Sequence, residues 1–128
     1  MTIVQYLDAV KLRLLAEPLI NHVKITRERY NRKDGYLRAR VRLQDGSLLE
    51  FAEYIQRTPA AQINVVTYSY HWGDTKGSLI RRWDNTPHFP HLPNFPHHIH
   101  DGETGTVIAG RPINIFQVLD DIARRLAP

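Results

Sequence analysis

The sequence predicts an α+β fold: an N-terminal helix, an antiparallel meander of about five strands, an irregular proline- and histidine-rich loop, and a C-terminal helix. Three observations carry that expectation. Apolar residues recur at helical spacing at both ends, the period changes to two between Leu37 and Trp83, and turn signals separate the alternating runs.

The first helix is signalled by Thr2, with Gln5 three residues on, a capping-box pair, and by the stripe Ile3, Leu7, Val10 and Leu14. Pro18 ends it. A strand is then expected from His22 to Tyr30, before the turn Asn31-Arg32-Lys33-Asp34-Gly35. Leu37, Ala39, Val41 and Leu43 alternate with Arg38, Arg40 and Arg42, giving a half-buried strand with one basic face. Asp45-Gly46 is a hairpin turn, and Leu48 to Ile55 returns from it. After Thr58-Pro59, the β-branched and aromatic run from Gln62 to Trp72 forms the next strand. Gly73 to Gly77 turns into a last strand from Ser78 to Trp83. The final helix takes Asn114 as cap and Gln117 as its partner, with Ile115, Val118, Leu119, Ile122 and Leu126 on one face.

Neither period survives between Asn85 and His100, where Pro87, Pro90, Pro93 and Pro96 recur at every third position. Proline removes backbone donors and fixes φ, so neither a helix nor a central strand is expected there. Phe89, Leu92 and Phe95 should anchor this excursion, and a long irregular segment in a compact domain points to function.

The chain has 128 residues, which suits one domain over 1–128, and its 42% hydrophobic and 23% charged content is that of a globular protein. It has no cysteine, which removes disulfides, thiolate metal sites and a cysteine nucleophile. No secretory signal opens it, and no apolar run approaches the ~20 residues that span a bilayer, so a soluble cytoplasmic protein without membrane contact is expected. The net charge of +4 favours an anionic partner.

Six of the seven histidines fall at positions 71, 88, 91, 97, 98 and 100. Three readings of the cluster compete. Imidazoles can act as general acid and base, and cutting RNA without a metal needs both, together with cations for the charge gathering on phosphate. Alternatively, His98 and His100, on one side of an extended segment, together with Asp84, Asp101 or His88 offer nitrogen and oxygen ligands to a metal, although the spacing matches no established metal motif. In the third reading the histidines anchor the loop to the sheet through backbone carbonyls. Arg38, Arg40, Arg42 and Arg81 would contact an RNA backbone, and Tyr68, Tyr70 and Trp83 would stack on bases. A row such as Arg38, Arg40 and Arg42 is more often a solvated surface than an RNA track. Glu53 and Tyr54 are placed to hold an arginine or a histidine, the plain expectation for Glu53 being a cross-strand ion pair.

The blocks Tyr68-Ser69-Tyr70-His71-Trp72-Gly73-Asp74, Gly77 to Asn85, Pro87-His88 and Asn94 to His100 resemble the signature of the TumE-type toxins of bacterial toxin–antitoxin pairs. Phe89 stands where that family usually has a second histidine, and His91 where an acidic residue is more typical. The resemblance implies a growth-arresting toxin restrained by a cognate antitoxin, a small helix-turn-helix DNA-binding protein. The helix-plus-meander layout is also similar to that of RelE-like ribonucleases, an analogy of fold alone. Taken together, these readings favour a metal-independent endoribonuclease, using no cofactor and acting on RNA or the ribosome. His97 and His98 are the first acid–base candidates, with His71 and His88 behind them. Asp84 would orient a histidine. Alternation puts Arg82 on the face of Asp84 and Arg81 with Trp83 on the other, so Arg82 is chosen to face the phosphate. A non-catalytic binding toxin, or a metal-dependent nuclease, is the alternative.

Overall fold

Both helices start where the sequence places their caps. Thr2 Oγ1 accepts from the Gln5 amide at 3.0 Å and Gln5 Oε1 from the Thr2 amide at 2.9 Å, opening helix α1 (Ile3–Ala16) in the computed structural model, which describes residues 1–128. Asn114 and Gln117 exchange the same pair of bonds, each at 3.0 Å, at the start of α2 (Ile115–Leu126). Between the helices run β1 (Ile20–Tyr30), β2 (Asp34–Leu43), β3 (Leu48–Arg57), β4 (Ile63–Gly73), β5 (Leu79–Asp84), β6 (His98–Asp101) and β7 (Thr106–Ala109). They form one antiparallel sheet in sequence order from β1 to β7. No helix is long and apolar enough to cross a membrane.

The sheet has seven strands where about five were expected from the alternation. The two extra strands, β6 and β7, have four residues each, too few to establish a period, and β6 begins inside the proline-rich stretch. That stretch is irregular only from Asn85 to His97. The first strand starts at Ile20 rather than His22, because the Gln44 amide reaches the Leu19 carbonyl at 2.8 Å and carries the pairing to the end of β2.

One face of the sheet is dry. Leu37, Ala39, Val41 and Leu43 of β2, Leu49, Phe51 and Ile55 of β3, Tyr68, Tyr70 and Trp72 of β4 and Trp83 of β5 are buried with the helix stripes Ile3, Leu7, Val10, Leu14 and Ile115, Val118, Leu119, Ile122. Period-two alternation therefore sends Arg38, Arg40, Ser69, His71, Arg82 and Asp84 to the opposite face. Glu53 is the exception on the dry side. Rather than pairing with an arginine, its carboxylate accepts from Tyr6 Oη at 2.6 Å, Tyr70 Oη at 2.5 Å and the Ile115 amide at 2.8 Å. It thereby joins α1, the sheet and the positive first turn of α2.

The β6–β7 hairpin folds tightly against β5. The Gly102 amide donates to the Ile80 carbonyl at 2.9 Å, and a Cβ at Gly102 would lie 1.8 Å from the Leu79 carbonyl oxygen. Backbone would have to part to admit it, so Gly102→Ala is expected to cost roughly 2–4 kcal/mol. A urea midpoint unchanged from wild type would refute this close approach.

Candidate functional site

The open face is built of two straight cross-strand rows, fixed by the register. One runs Lys24–Arg40–Glu50–His71–Arg82–His100 from β1 to β6. The other runs Arg27–Arg38–Ala52–Ser69–Asp84–His98. Cationic side chains thus crowd the β1–β2 end, and imidazoles with one carboxylate crowd the β5–β6 end. A hollow of about 420 Å³ opens between them, lined by Arg38, Glu50, Phe51, Ala52, Ser69, His71 and Arg82. Larger hollows lie beside Thr2 and Tyr30 (about 520 Å³) and beside Arg81 and Arg125 (about 580 Å³), and neither contains a histidine.

Asp84 organises the imidazole end. Its Oδ2 accepts from Arg82 Nε at 2.9 Å and lies 3.6 Å from His100 Nε2, while Oδ1 accepts from the Thr86 amide at 3.1 Å. Oδ1 is also 2.8 Å from His98 Nε2. The ring direction does not aim Nε2 at that oxygen, so the two touch electrostatically without a hydrogen bond. The other ring nitrogen, Nδ1, lies 2.9 Å from the Pro96 carbonyl, which can only accept, so Nδ1 carries a proton. Asp84 and His98 retain 4% and 2% of their side-chain surface, against 38% for Arg82 and 30% for His100.

The loop closes over this end with Phe89. Its ring lies 5.1 Å from His98 and 5.9 Å from His100, edge to face, with His88 at 6.1 Å and His91 at 6.4 Å on the exposed side. Phe89 takes a φ of +60°, a strained value for a bulky residue, and the packing of its ring holds it there.

Burial lowers the His71 pKa; the nearby Arg82 guanidinium lowers it further, and Glu50 partly offsets both. His71 Nδ1 is buried with no partner. Burial also lowers His100, against the pull of Asp84 and with the help of His98, Arg82 and His71. Two imidazoles on the open row are thereby biased towards the neutral, proton-accepting form.

The predicted residues divide by face. The open face brings together His71, Arg82, Asp84, His98, His100, Arg38 and Arg40, while His88 stands beside Phe89 on the covering loop. Arg42 lies further out, bonded to the Gly46 carbonyl at 2.9 Å. His97 is on the other side of the sheet: its ring stacks on Tyr68 at 5.8 Å, and its Nδ1 lies 2.9 Å from Tyr68 Oη. His97 and His98 therefore point to opposite sides of the sheet, as neighbours in extended chain do, and His98 is itself covered. Tyr68, Tyr70 and Trp83 are 3%, 0% and 3% exposed, beneath the helices, and are not available as stacking platforms. Arg81 shares their side, 5.7 Å above the Trp83 ring and within the field of Asp121 and Arg125. Glu50 and Ser69 belong to the hollow and were not singled out from the sequence. The turn at Asp45-Gly46 sets the register that pairs Glu50 with Arg40, and that was the available signal.

A family model described as Toxin TumE matches residues 10–126. No curated protein and no solved structure matches the chain.

Proposed function

This chain belongs to the TumE toxin family, and from that premise we propose that it is an endoribonuclease whose reaction takes place on the open sheet face. Family membership makes it the toxin of a toxin–antitoxin pair, with an antitoxin as partner. The proposal adds RNA as target, the cytoplasm as location and a small helix-turn-helix protein as antitoxin. The observation that carries it is the row His71–Arg82–His100, which sets a guanidinium beside an accessible, neutral imidazole at the edge of a basic hollow.

In this scheme a phosphate of single-stranded RNA lies against Arg38 and Arg82. Arg82 is held to Asp84 through Nε, which leaves its terminal nitrogens for the anion. His71 takes the proton of the 2′-hydroxyl, the 2′-oxygen attacks phosphorus, and the bond to the 5′-oxygen breaks. The leaving oxygen receives a proton from His88, an exposed imidazole of the covering loop. The products are a 2′,3′-cyclic phosphate and a free 5′-hydroxyl. Every proton moves between protein and RNA, so the chemistry itself uses no metal.

The test is incubation of purified protein with single-stranded RNA and with ribosomes, in EDTA, beside His71→Ala. Fragments with 5′-hydroxyl ends are expected, and their rate should fall about 10²–10⁴-fold in the variant. Intact RNA with both substrates would refute cleavage. RNA affinity that then falls in Arg38→Ala would identify a toxin that acts by occupying RNA.

A further inference from the structure

We propose that Asp84, His98 and His100 form a binding site for a divalent transition-metal ion, which pins β5 to β6 where the 85–97 loop leaves and rejoins the sheet. One ligand atom from each residue lies within 4.8 Å of the other two. His98 Nε2 lies 2.8 Å from Asp84 Oδ1 and His100 Nε2 lies 3.6 Å from Asp84 Oδ2, on either side of the ~3.0–3.4 Å expected between neighbouring donors on an ion with bonds of about 2.1 Å, so the carboxylate faces both imidazoles with one oxygen each. Two imidazoles and one carboxylate suit zinc and its first-row neighbours rather than magnesium or calcium.

A second observation points to the same place. His98 is 2% exposed, and its Nε2 has no hydrogen-bond partner. With Nδ1–H committed to the Pro96 carbonyl, a neutral ring presents a lone pair at Nε2, directly beside a carboxylate oxygen. Nitrogen and carboxylate oxygen thus sit 2.8 Å apart, out of water, with no hydrogen bond between them, and Arg82 serves Oδ2 instead of the gap. A cation in front of Nε2 resolves the conflict. The surroundings are those of a ligand shell held in place. A backbone carbonyl fixes the His98 tautomer and ring, Arg82 and the Thr86 amide orient the carboxylate, and the Phe89 ring covers both histidines.

Three protein donors leave further coordination positions on the His100 side, which is the only ligand substantially open to water. The Arg82 charge on Asp84 tempers affinity, so the site should load below the tightest structural zinc centres. His71, Arg82 and His88 are not ligands, and the inference stands on binding alone, whatever the RNA assay returns.

The experiment is calorimetric titration of chelator-stripped protein with zinc chloride, repeated with manganese, and a melting curve at each loading. One zinc per chain is expected, with a raised melting temperature and weaker binding of manganese. His100→Ala, at a half-open position, should lose at least about tenfold in affinity together with the thermal shift. Asp84→Asn, which keeps the shape, should do the same. His91→Ala, at an exposed histidine outside the set, should bind as wild type does. Absence of binding by both ions would overturn the site. Equal affinity in His100→Ala, or loss in His91→Ala, would equally overturn it by assigning the ion to surface histidines.

Discussion

Glu53→Ala is expected to lose about 4 kcal/mol of folding stability, the largest effect of any single substitution considered. The carboxylate is 2% exposed and receives three donors, Tyr6 Oη, Tyr70 Oη and the Ile115 amide. Alanine strands all three in a dry interior and leaves a void. Glu53→Gln should retain most of the stability. Its carbonyl can take the Tyr70 and Ile115 donors while its amide donates to the Tyr6 oxygen, which can accept. The comparison has a pH signature. Burial raises the Glu53 pKa, and the bonds from Tyr6, Tyr70 and Ile115 counter it only in part. A carboxyl whose folded pKa exceeds its unfolded one contributes stability in full below the unfolded value, and loses it as pH rises through the folded value. Relative to Glu53→Gln, the wild type should therefore gain stability on acidification, opposite to a salt-bridged carboxylate. Urea midpoints of both proteins between neutral and mildly acidic pH measure this. A difference that does not change with pH would mean that Glu53 stays ionised with no penalty.

Arg82→Ala should lower the rate of RNA cleavage about 10²–10³-fold, the usual cost of removing one donor aimed at developing charge. Arg82→Lys should recover only part of it, because an ammonium cannot hold Asp84 and offer a separate fork to phosphate. The same variant alters the pH profile. His71 faces Arg38 from β2, Glu50 from β3, Arg82 from β5 and His100 from β6. Burial and then Arg82 lower its pKa beneath the ordinary 6.5, so it remains a base at pH values where a free histidine is half protonated. The acid limb of the rate profile should lie below 6.5 in the wild type and move up when the guanidinium is removed. Single-turnover rates across pH provide both readouts. Cleavage by Arg82→Ala within about threefold of wild type would place the reacting phosphate elsewhere.

Local rules were legible in the sequence wherever one residue's chemistry decided the outcome. Thr2 with Gln5 and Asn114 with Gln117 fixed the helix starts, and the period of two separated Arg82 and Asp84 from Arg81 and Trp83. What could not be read was which face the helices would cover. Tyr68, Tyr70 and Trp83 are as suitable for stacking on bases as for filling a core, and only the docking of α1 and α2 makes them core. The separation of His97 from His98 was hidden for a related reason. Treating residues 85–100 as one irregular segment hid the start of β6 at His98, and with it the rule that sends His97 and His98 to opposite sides. Glu53 was closer to legible, since it alternates in step with Phe51 and Ile55. Charge argued for the open face, and the three donors that satisfy it come from α1, β4 and the residue that opens α2, too far apart in sequence to anticipate.

The neighbour-only order of the sheet also has a kinetic side. Each strand pairs with the next in the chain, so the meander can zip from one hairpin to another without a long loop being closed first, which keeps contact order low for a sheet protein. The costly closure is the one that brings Ile115 to Glu53, 62 residues away. A chain that has zipped its strands but not yet docked α2 would leave the row of Tyr70 and Trp83 bare to water, and that is the species most exposed to self-association while the toxin folds.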